Sequence, residues 1–463
     1  MPAPRPGRVR AALLVAAVVV TPGLAAVVAS RSAWVRSWFA RDAENAAEMA
    51  QLDAANLSAP PPPDTAGGWP QWRGPNRDGH APAGAIRTDW DKRPPKQLWS
   101  AACGGGYSSL AVAGGKVYGH DRTADGERVF CRDAATGNKS WEYAYPADYA
   151  PMRLGYAAGP RATPAVAGGR VYAVGAVGKL LCLEPAAAGQ PPKLVWEHDL
   201  IGMFGAAVPT WGVACSPLVE GDTVVVQPGG KVGSVVAFDA ATGAVRWNAG
   251  GNPGGYSSPV AATVGGVRVI LALTGDALLC VRAADGEVTG RYDWKTEHFA
   301  NIATPVVVGD YVFVSSAYNK GCALLRAVAA GDRVKLEEVY ARNNRVLRSH
   351  LSTPVYAGGF LYGFDGTRTT TLTCVDFRKG AAAPGWADAD VRSGTLVLAD
   401  RHLLILTEGG RLNLVEATPE GFRPVAEAAS GLSGAQNWAL PVLLDGRLYL
   451  RGEDKIVCLD VSP

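Results

Sequence analysis

Short apolar runs alternate with turn residues from Lys96 to the end of the chain, and the stretch Cys215–Trp247 shows the repeating unit. Its residues, CSPLVEGDTVVVQPGGKVGSVVAFDAATGAVRW, predict four strands and three turns. Ser216–Val219 is the first strand, with Pro217 at its opening position, where a missing N–H breaks no ladder. Gly221-Asp222 supplies the positive φ values of a two-residue hairpin. Thr223–Gln227 is a β-branched run, and Gly229-Gly230 turns the chain again. Val235–Asp239 and Ala244–Trp247 are the third and fourth strands, joined at Thr242-Gly243. A sheet of this kind is apolar on both faces and cannot cover them alone. It requires copies of itself.

The first hairpin turn recurs at Gly114-Gly115, Gly168-Gly169, Gly221-Asp222, Gly265-Gly266, Gly309-Asp310, Gly358-Gly359, Asp400-Arg401 and Asp445-Gly446, at intervals of 42 to 54 residues. Proline stands before the turn in six copies: Pro164, Pro217, Pro259, Pro305, Pro354 and Pro441. A four-strand repeat of this period predicts an all-β, eight-bladed β-propeller of four-stranded blades. The last repeat holds three strands, and Lys96–Ser100 matches a fourth strand that has lost its repeat. The N-terminal strand is therefore expected to complete the last blade and close the ring, which removes two open sheet edges.

The N-terminal residues follow another pattern. Arg5, Arg8 and Arg10 precede an apolar run from Ala11 to Ala29, which ends at Ser30-Arg31. Such a run reads as a transmembrane signal anchor or as a cleaved signal peptide, and either exports the rest. Residues 1–31 are assigned to it. Residues 32–68 are read as a helical stalk and a Pro-rich linker, stiffened by Pro60–Pro63. The propeller is expected over 69–463, opening with the turn-rich segment Trp69-Pro-Gln-Trp-Arg-Gly-Pro. The expected location is the cell envelope or periplasm, tethered to the inner membrane by the N-terminal helix.

The 56 Gly and 32 Pro suit a turn-heavy fold. Net charge is +3, and residues 1–68 hold six Arg against five acids, so the propeller is close to neutral. It lacks the basic stripe of a nucleic-acid binder. Cys131, Cys182, Cys280, Cys374 and Cys458 share one third-strand slot, which Ala237 fills in the repeat at Cys215–Trp247. The slot wants a small apolar side chain, and the ring holds equivalent slots apart, so these five are not expected to pair. Cys103, Cys215 and Cys322 fall elsewhere. The six histidines show no metal-ligand spacing, and no metal site is expected.

Ala237-Phe-Asp-Ala-Ala-Thr-Gly-Ala-Val-Arg-Trp247 resembles the tryptophan-docking motif of pyrroloquinoline quinone (PQQ)-type propellers, the quinoprotein alcohol dehydrogenase-like superfold. Cys131-Arg-Asp-Ala-Ala-Thr-Gly-Asn-Lys-Ser-Trp141 is a second copy, and weaker ones run from Cys182 to Trp196, Cys280 to Gly290 and Cys374 to Trp386. The Trp-Pro-Gln-Trp-Arg-Gly-Pro opening is similar to that of exported bacterial members. The resemblance implies that Trp141, Trp196 and Trp247 dock blade on blade. It implies two functions of different class. One is the binding or assembly scaffold of the outer-membrane β-barrel machinery's propeller lipoprotein, although this chain has no lipid-anchor cysteine. The other is a PQQ- and calcium-dependent quinoprotein oxidoreductase acting on alcohols or sugars. Members with that activity commonly carry adjacent cysteines over the quinone, and this chain has none.

The residues just before each innermost strand should rim the central channel: Tyr107, Arg161, Trp211, Tyr256, Asn301, His350 and Asn437. Arginine, histidine, amides and aromatics together are the makings of a ligand pocket, though a solvated rim would use the same residues. Arg161 would pair with an anionic ligand and Trp211 would stack on a planar one. Ser108-Ser109 and Ser257-Ser258 sit in the near-identical segments GGYSSL and GGYSSP, so blade geometry is expected of them before nucleophile chemistry. The expected function is that of a membrane-tethered binding or assembly scaffold without chemistry of its own, for a protein or small-ligand partner. Quinoprotein oxidoreductase stands as the alternative.

Overall fold

The computed structural model describes residues 68–463 except 85, 153–158, 188, 345, 368 and 387–388. The expected anchor and nearly all of the stalk lie outside the described residues. Among those described, no helix is long and apolar enough to cross a membrane.

Eight four-stranded antiparallel sheets make an all-β, eight-bladed propeller. Blades 1 to 7 span 111–146, 165–199, 218–249, 260–293, 306–343, 355–382 and 394–429, and blade 8 joins 442–460 to Lys96–Ala102. In each of blades 1 to 7 the strands follow one another in chain order. The eight hairpins close as their residues dictate: the first turn residue has φ between 50° and 58° in every one, Asp400 and Asp445 included. The strands begin one residue later than the proline positions predict. Leu218–Glu220 follows Pro217, and Val442–Leu444 follows Pro441, so each proline stands outside the ladder it was expected to open.

The apolar faces are buried blade against blade. Tyr172, Val174, Leu180 and Cys182 of blade 2 share one cluster with Val224, Val226, Val236 and Phe238 of blade 3. The third-strand slot lies opposite a docking residue: Cys131 pairs with Trp141, Cys182 with Trp196, Ala237 with Trp247 and Cys458 with Trp99. A register shift next to each of these pairs twists the outer strand. All eight cysteines are free thiols, seven of them buried. Burial pushes the Cys131 and Cys458 thiols up to about 12, where they stay protonated and unreactive.

The indoles reach across the seams. Trp196 Nε1 donates to Ala240 O at 3.2 Å, Trp247 Nε1 to Ala283 O at 2.9 Å and Trp99 Nε1 to Ala134 O at 3.1 Å, each acceptor lying in the next blade. Trp141 is buried with Tyr118 and with Val171 and Leu181 of blade 2. The glycine of the following Thr-Gly turn makes room: at Gly243 (φ 75°) an added Cβ would lie 2.7 Å from the Trp196 ring. Blade 5 uses Tyr340 instead, with its hydroxyl on Phe377 O at 2.9 Å.

Candidate functional site

The opening segment, read from sequence only as turn-rich and aromatic, runs across the channel. Trp69 bridges to Val112 of blade 1, and Pro70 O accepts the Val166 N–H of blade 2 at 2.9 Å. Arg77 donates to Ser216 O and Pro217 O at the start of blade 3, at 3.0 and 2.9 Å. Trp72 Nε1 donates to Thr304 Oγ1 beside blade 5 at 2.9 Å. Arg73 donates to Thr353 O and Pro354 O beside blade 6, at 3.1 and 2.9 Å. Ala81 N donates to Leu398 O of blade 7 at 2.7 Å. Six blades are thus tied to one loop, five through backbone groups and blade 5 through the Thr304 hydroxyl. Arg73 and Arg77 are 1 % and 4 % exposed, and burial lowers both guanidiniums to about 10. Neither is within ion-pair distance of a described carboxylate; backbone carbonyls hold both, and Arg77 also donates to Gln71 Oε1 at 3.0 Å.

Above this loop lies a cavity of about 510 Å³, with Trp72 in its wall. Five of the seven expected rim residues line it: Tyr107, Arg161, Trp211, Tyr256 and His350. The other two sit behind the wall. Asn301 is fully buried and donates to Thr274 O and Trp294 O, both at 2.8 Å, while it accepts from Ser316 Oγ at 2.9 Å. Asn437 is fully buried and donates to Glu408 O at 2.8 Å. A short amide next to a turn finds backbone partners first. The residues that follow, Ile302 and Trp438, face the cavity instead.

Sequence reasoning missed the contribution of the turns between second and third strands, which bring Tyr318, Thr367 and Glu408 to the wall. It also missed Trp72. The aromatics form two arcs. On one, Tyr107 and Trp438 lie 4.6 Å apart, with the Arg161 guanidinium 5.5 Å over the Tyr107 ring. Trp438 Nε1 donates to Glu408 Oε1 at 2.7 Å. On the other, Trp211 and Tyr256 are 5.5 Å apart, and Tyr318 meets His350 at 5.3 Å with its hydroxyl 3.1 Å from Nε2. Burial raises Tyr256 to about 12 and lowers His350, so both are neutral at pH 7. Among the described lining residues Arg161 is the one cation and Glu408 the one carboxylate.

Between the aromatics, hydroxyls latch successive blades. Ser216 Oγ accepts from Thr163 N and Ser258 Oγ from Ser216 N, both at 2.9 Å, and Thr353 Oγ1 accepts from Thr304 N at 3.0 Å. The paired serines of the two GGYSS segments do the same work: Ser109 Oγ donates to Leu440 O at 2.6 Å and Ser257 Oγ to Ala303 O at 3.1 Å.

A family model described as outer membrane protein assembly factor BamB, of the PQQ-like type, matches residues 152–384. No curated protein sequence matches the chain. Among solved structures, BamB from Moraxella catarrhalis is 13 % identical with a TM-score of 0.55, over 79 % of this chain and 97 % of that one. A europium-containing methanol dehydrogenase is 13 % identical with a TM-score of 0.58, over 85 % and 98 %. A quinohemoprotein alcohol dehydrogenase from Pseudomonas putida HK5 is 15 % identical with a TM-score of 0.56, over 86 % and 80 %. At such identities the likeness is one of fold.

The residues present do not fit the calcium ion that a quinoprotein dehydrogenase would require. Calcium takes six to eight oxygen ligands, several of them carboxylate. The described lining offers Glu408, which already accepts from Trp438, and no group of three His, Cys, Asp or Glu that could hold a metal occurs among the described residues. For the carboxylates of PQQ the described wall offers a single cation, Arg161.

Proposed function

This chain belongs to the PQQ-like repeat family described as outer membrane protein assembly factor BamB, and from that premise we propose that it works as an exported binding or assembly scaffold. Its binding seat is the cavity at the channel mouth. The observation that carries the reading is the composition of that cavity's described lining: aromatic faces and hydroxyls in quantity, one cation, and one carboxylate engaged by an indole. Such a lining holds an apolar or planar group and orients it through a few polar contacts. Among the described residues it offers no carboxylate cluster to seat the metal that quinoprotein dehydrogenation would need. Export and tethering rest on the apolar run after Arg5, Arg8 and Arg10.

The test is direct. With PQQ and Ca²⁺ added, the purified chain is expected not to reduce an acceptor dye in the presence of simple alcohols or aldose sugars. Steady PQQ-dependent reduction that survives repurification would overturn the scaffold reading in favour of the oxidoreductase.

A further inference from the structure

The cavity floor is built differently from its wall. Ser216, Ser258, Thr304 and Thr353 stand at matching positions, each directly before the proline that precedes an innermost strand, and all are 2 to 5 % exposed. Each hydroxyl oxygen accepts one N–H: from Thr163, Ser216, the Trp72 indole and Thr304, at 2.9 to 3.0 Å. A hydroxyl whose lone pair is used this way still has its proton to donate. The neighbouring Ser352 Oγ is buried, lines the same cavity, and has no partner among the described residues. The carbonyls of Ser216 and Thr353, which would otherwise compete as acceptors, are taken by Arg77 and Arg73. Those two buried guanidiniums bring positive charge under the floor; Asp78 offsets part of it at Arg73, and no described carboxylate lies within ion-pair distance of either. The floor thus keeps hydroxyl protons to donate, its Ser216 and Thr353 carbonyls are engaged from beneath by cations, and the one described carboxylate of the wall, Glu408, is held by the Trp438 indole.

We infer that this floor is an oxyanion seat, which takes the carboxylate or phosphate of a ligand whose ring lies along the Tyr107–Trp438 and Trp211–Tyr256 arcs. The inference rests on the reading that the cavity is where the propeller binds, and it fixes the ligand's class and orientation: anionic end down, apolar end at the mouth. Charge-assisted hydrogen bonds in a closed site supply the selectivity.

The experiment follows tryptophan fluorescence of the full chain, since Trp72, Trp211 and Trp438 line the cavity. Phenyl phosphate and benzoate are titrated against neutral benzyl alcohol, with inorganic phosphate as competitor. The anions are expected to bind about tenfold tighter or better, and inorganic phosphate to displace them. Ser352→Ala removes no protein hydrogen bond, so it should keep the parent's melting temperature and its affinity for benzyl alcohol while weakening the anions about tenfold. Benzyl alcohol binding as tightly as the anions overturns the seat and leaves the cavity reading standing. An anion preference that survives Ser352→Ala but vanishes with Arg161→Ala also overturns it, because the rim would then be the source. No saturable change with any compound overturns the seat and the cavity reading together.

Discussion

Arg73→Ala tests whether the loop across the channel is part of what holds the blades in place. The guanidinium donates to four carbonyls: Arg77 O at 3.2 Å, Thr353 O at 3.1 Å, Asp78 O at 2.6 Å and Pro354 O at 2.9 Å. Truncation frees all four. The acceptors on Arg77 and Asp78 belong to the loop itself and can turn toward water admitted by the missing side chain. Thr353 O and Pro354 O cannot turn, because they are held at the head of the strand Val355–Ala357. Leaving two buried acceptors without donors costs about 1–3 kcal/mol each, so the loss should be about 2–6 kcal/mol. Arg73→Lys keeps the charge but not the fork, and should fall between the two. Equilibrium denaturation in guanidinium chloride reads the loss, and acrylamide quenching reads the accompanying exposure of Trp72. A loss under about 1 kcal/mol, or a lysine variant as stable as the parent, would refute the argument that the loop's hydrogen bonds carry the inner ends of the blades.

Gly243→Ala should destabilise by about 1–3 kcal/mol, because it strains a φ of 75° and drives a methyl group into the Trp196 ring; thermal melting checks it. If the rim rather than the floor holds the anion, Arg161→Ala should weaken binding of an anionic ligand to the cavity by about 1.5–3 kcal/mol, read by calorimetry, and leave Ser352→Ala without effect. Stability should fall as the pH drops below 6.5, the ordinary histidine value, because burial lowers His120, His350 and His402. A folded-state value below the unfolded one means that the unfolded chain binds the extra protons, so the stabilisation is present above 6.5 and lost on acidification. Melting temperatures from about pH 7.5 to about pH 5.5 read it, and a flat profile would contradict it.

The blades were legible because their signals are local. A hairpin needs positive φ at one place, and Gly114, Gly168 or Asp400 announces it whatever surrounds it. Docking was legible at Trp196 and Trp247 through a repeated motif, but Tyr340 does the same work without the motif's aromatic. The channel rim was legible as far as strand phase could carry it, which placed Tyr107, Arg161, Trp211, Tyr256 and His350. Phase alone does not say which of two neighbours turns inward, and so Asn437 stood in for Trp438. The loop across the channel was not legible at all. Arg73 and Arg77 bind main-chain carbonyls far away in sequence, and a carbonyl carries no side-chain signature to read.

The strand Lys96–Ala102 bears the remaining structural question, whether the ring depends on its chain ends meeting. It pairs with Lys455–Asp460, with Trp99 opposite Cys458 and Ser100 opposite Val457. Without it, Lys455–Asp460 would be an outer edge carrying Ile456, Val457 and Leu459, which is a template for pairing with another molecule. Trp99 also bonds Ala134 O of blade 1, so the same strand ties blade 8 to its neighbour. Deleting residues 69–100 would remove the channel loop as well, and two losses would be confounded. A chain lacking only 69–81 separates them, since it keeps the strand. If closure matters, the larger deletion should aggregate while the smaller one stays monomeric at lower stability. A synthetic peptide covering 94–104, added in trans, should return the larger deletion toward the monomer by filling the open edge. Light scattering and melting temperature read all three. A larger deletion that remains monomeric and as heat-stable as the parent would mean that seven blades and three strands hold without the N-terminal strand, and the edge argument would fail with it.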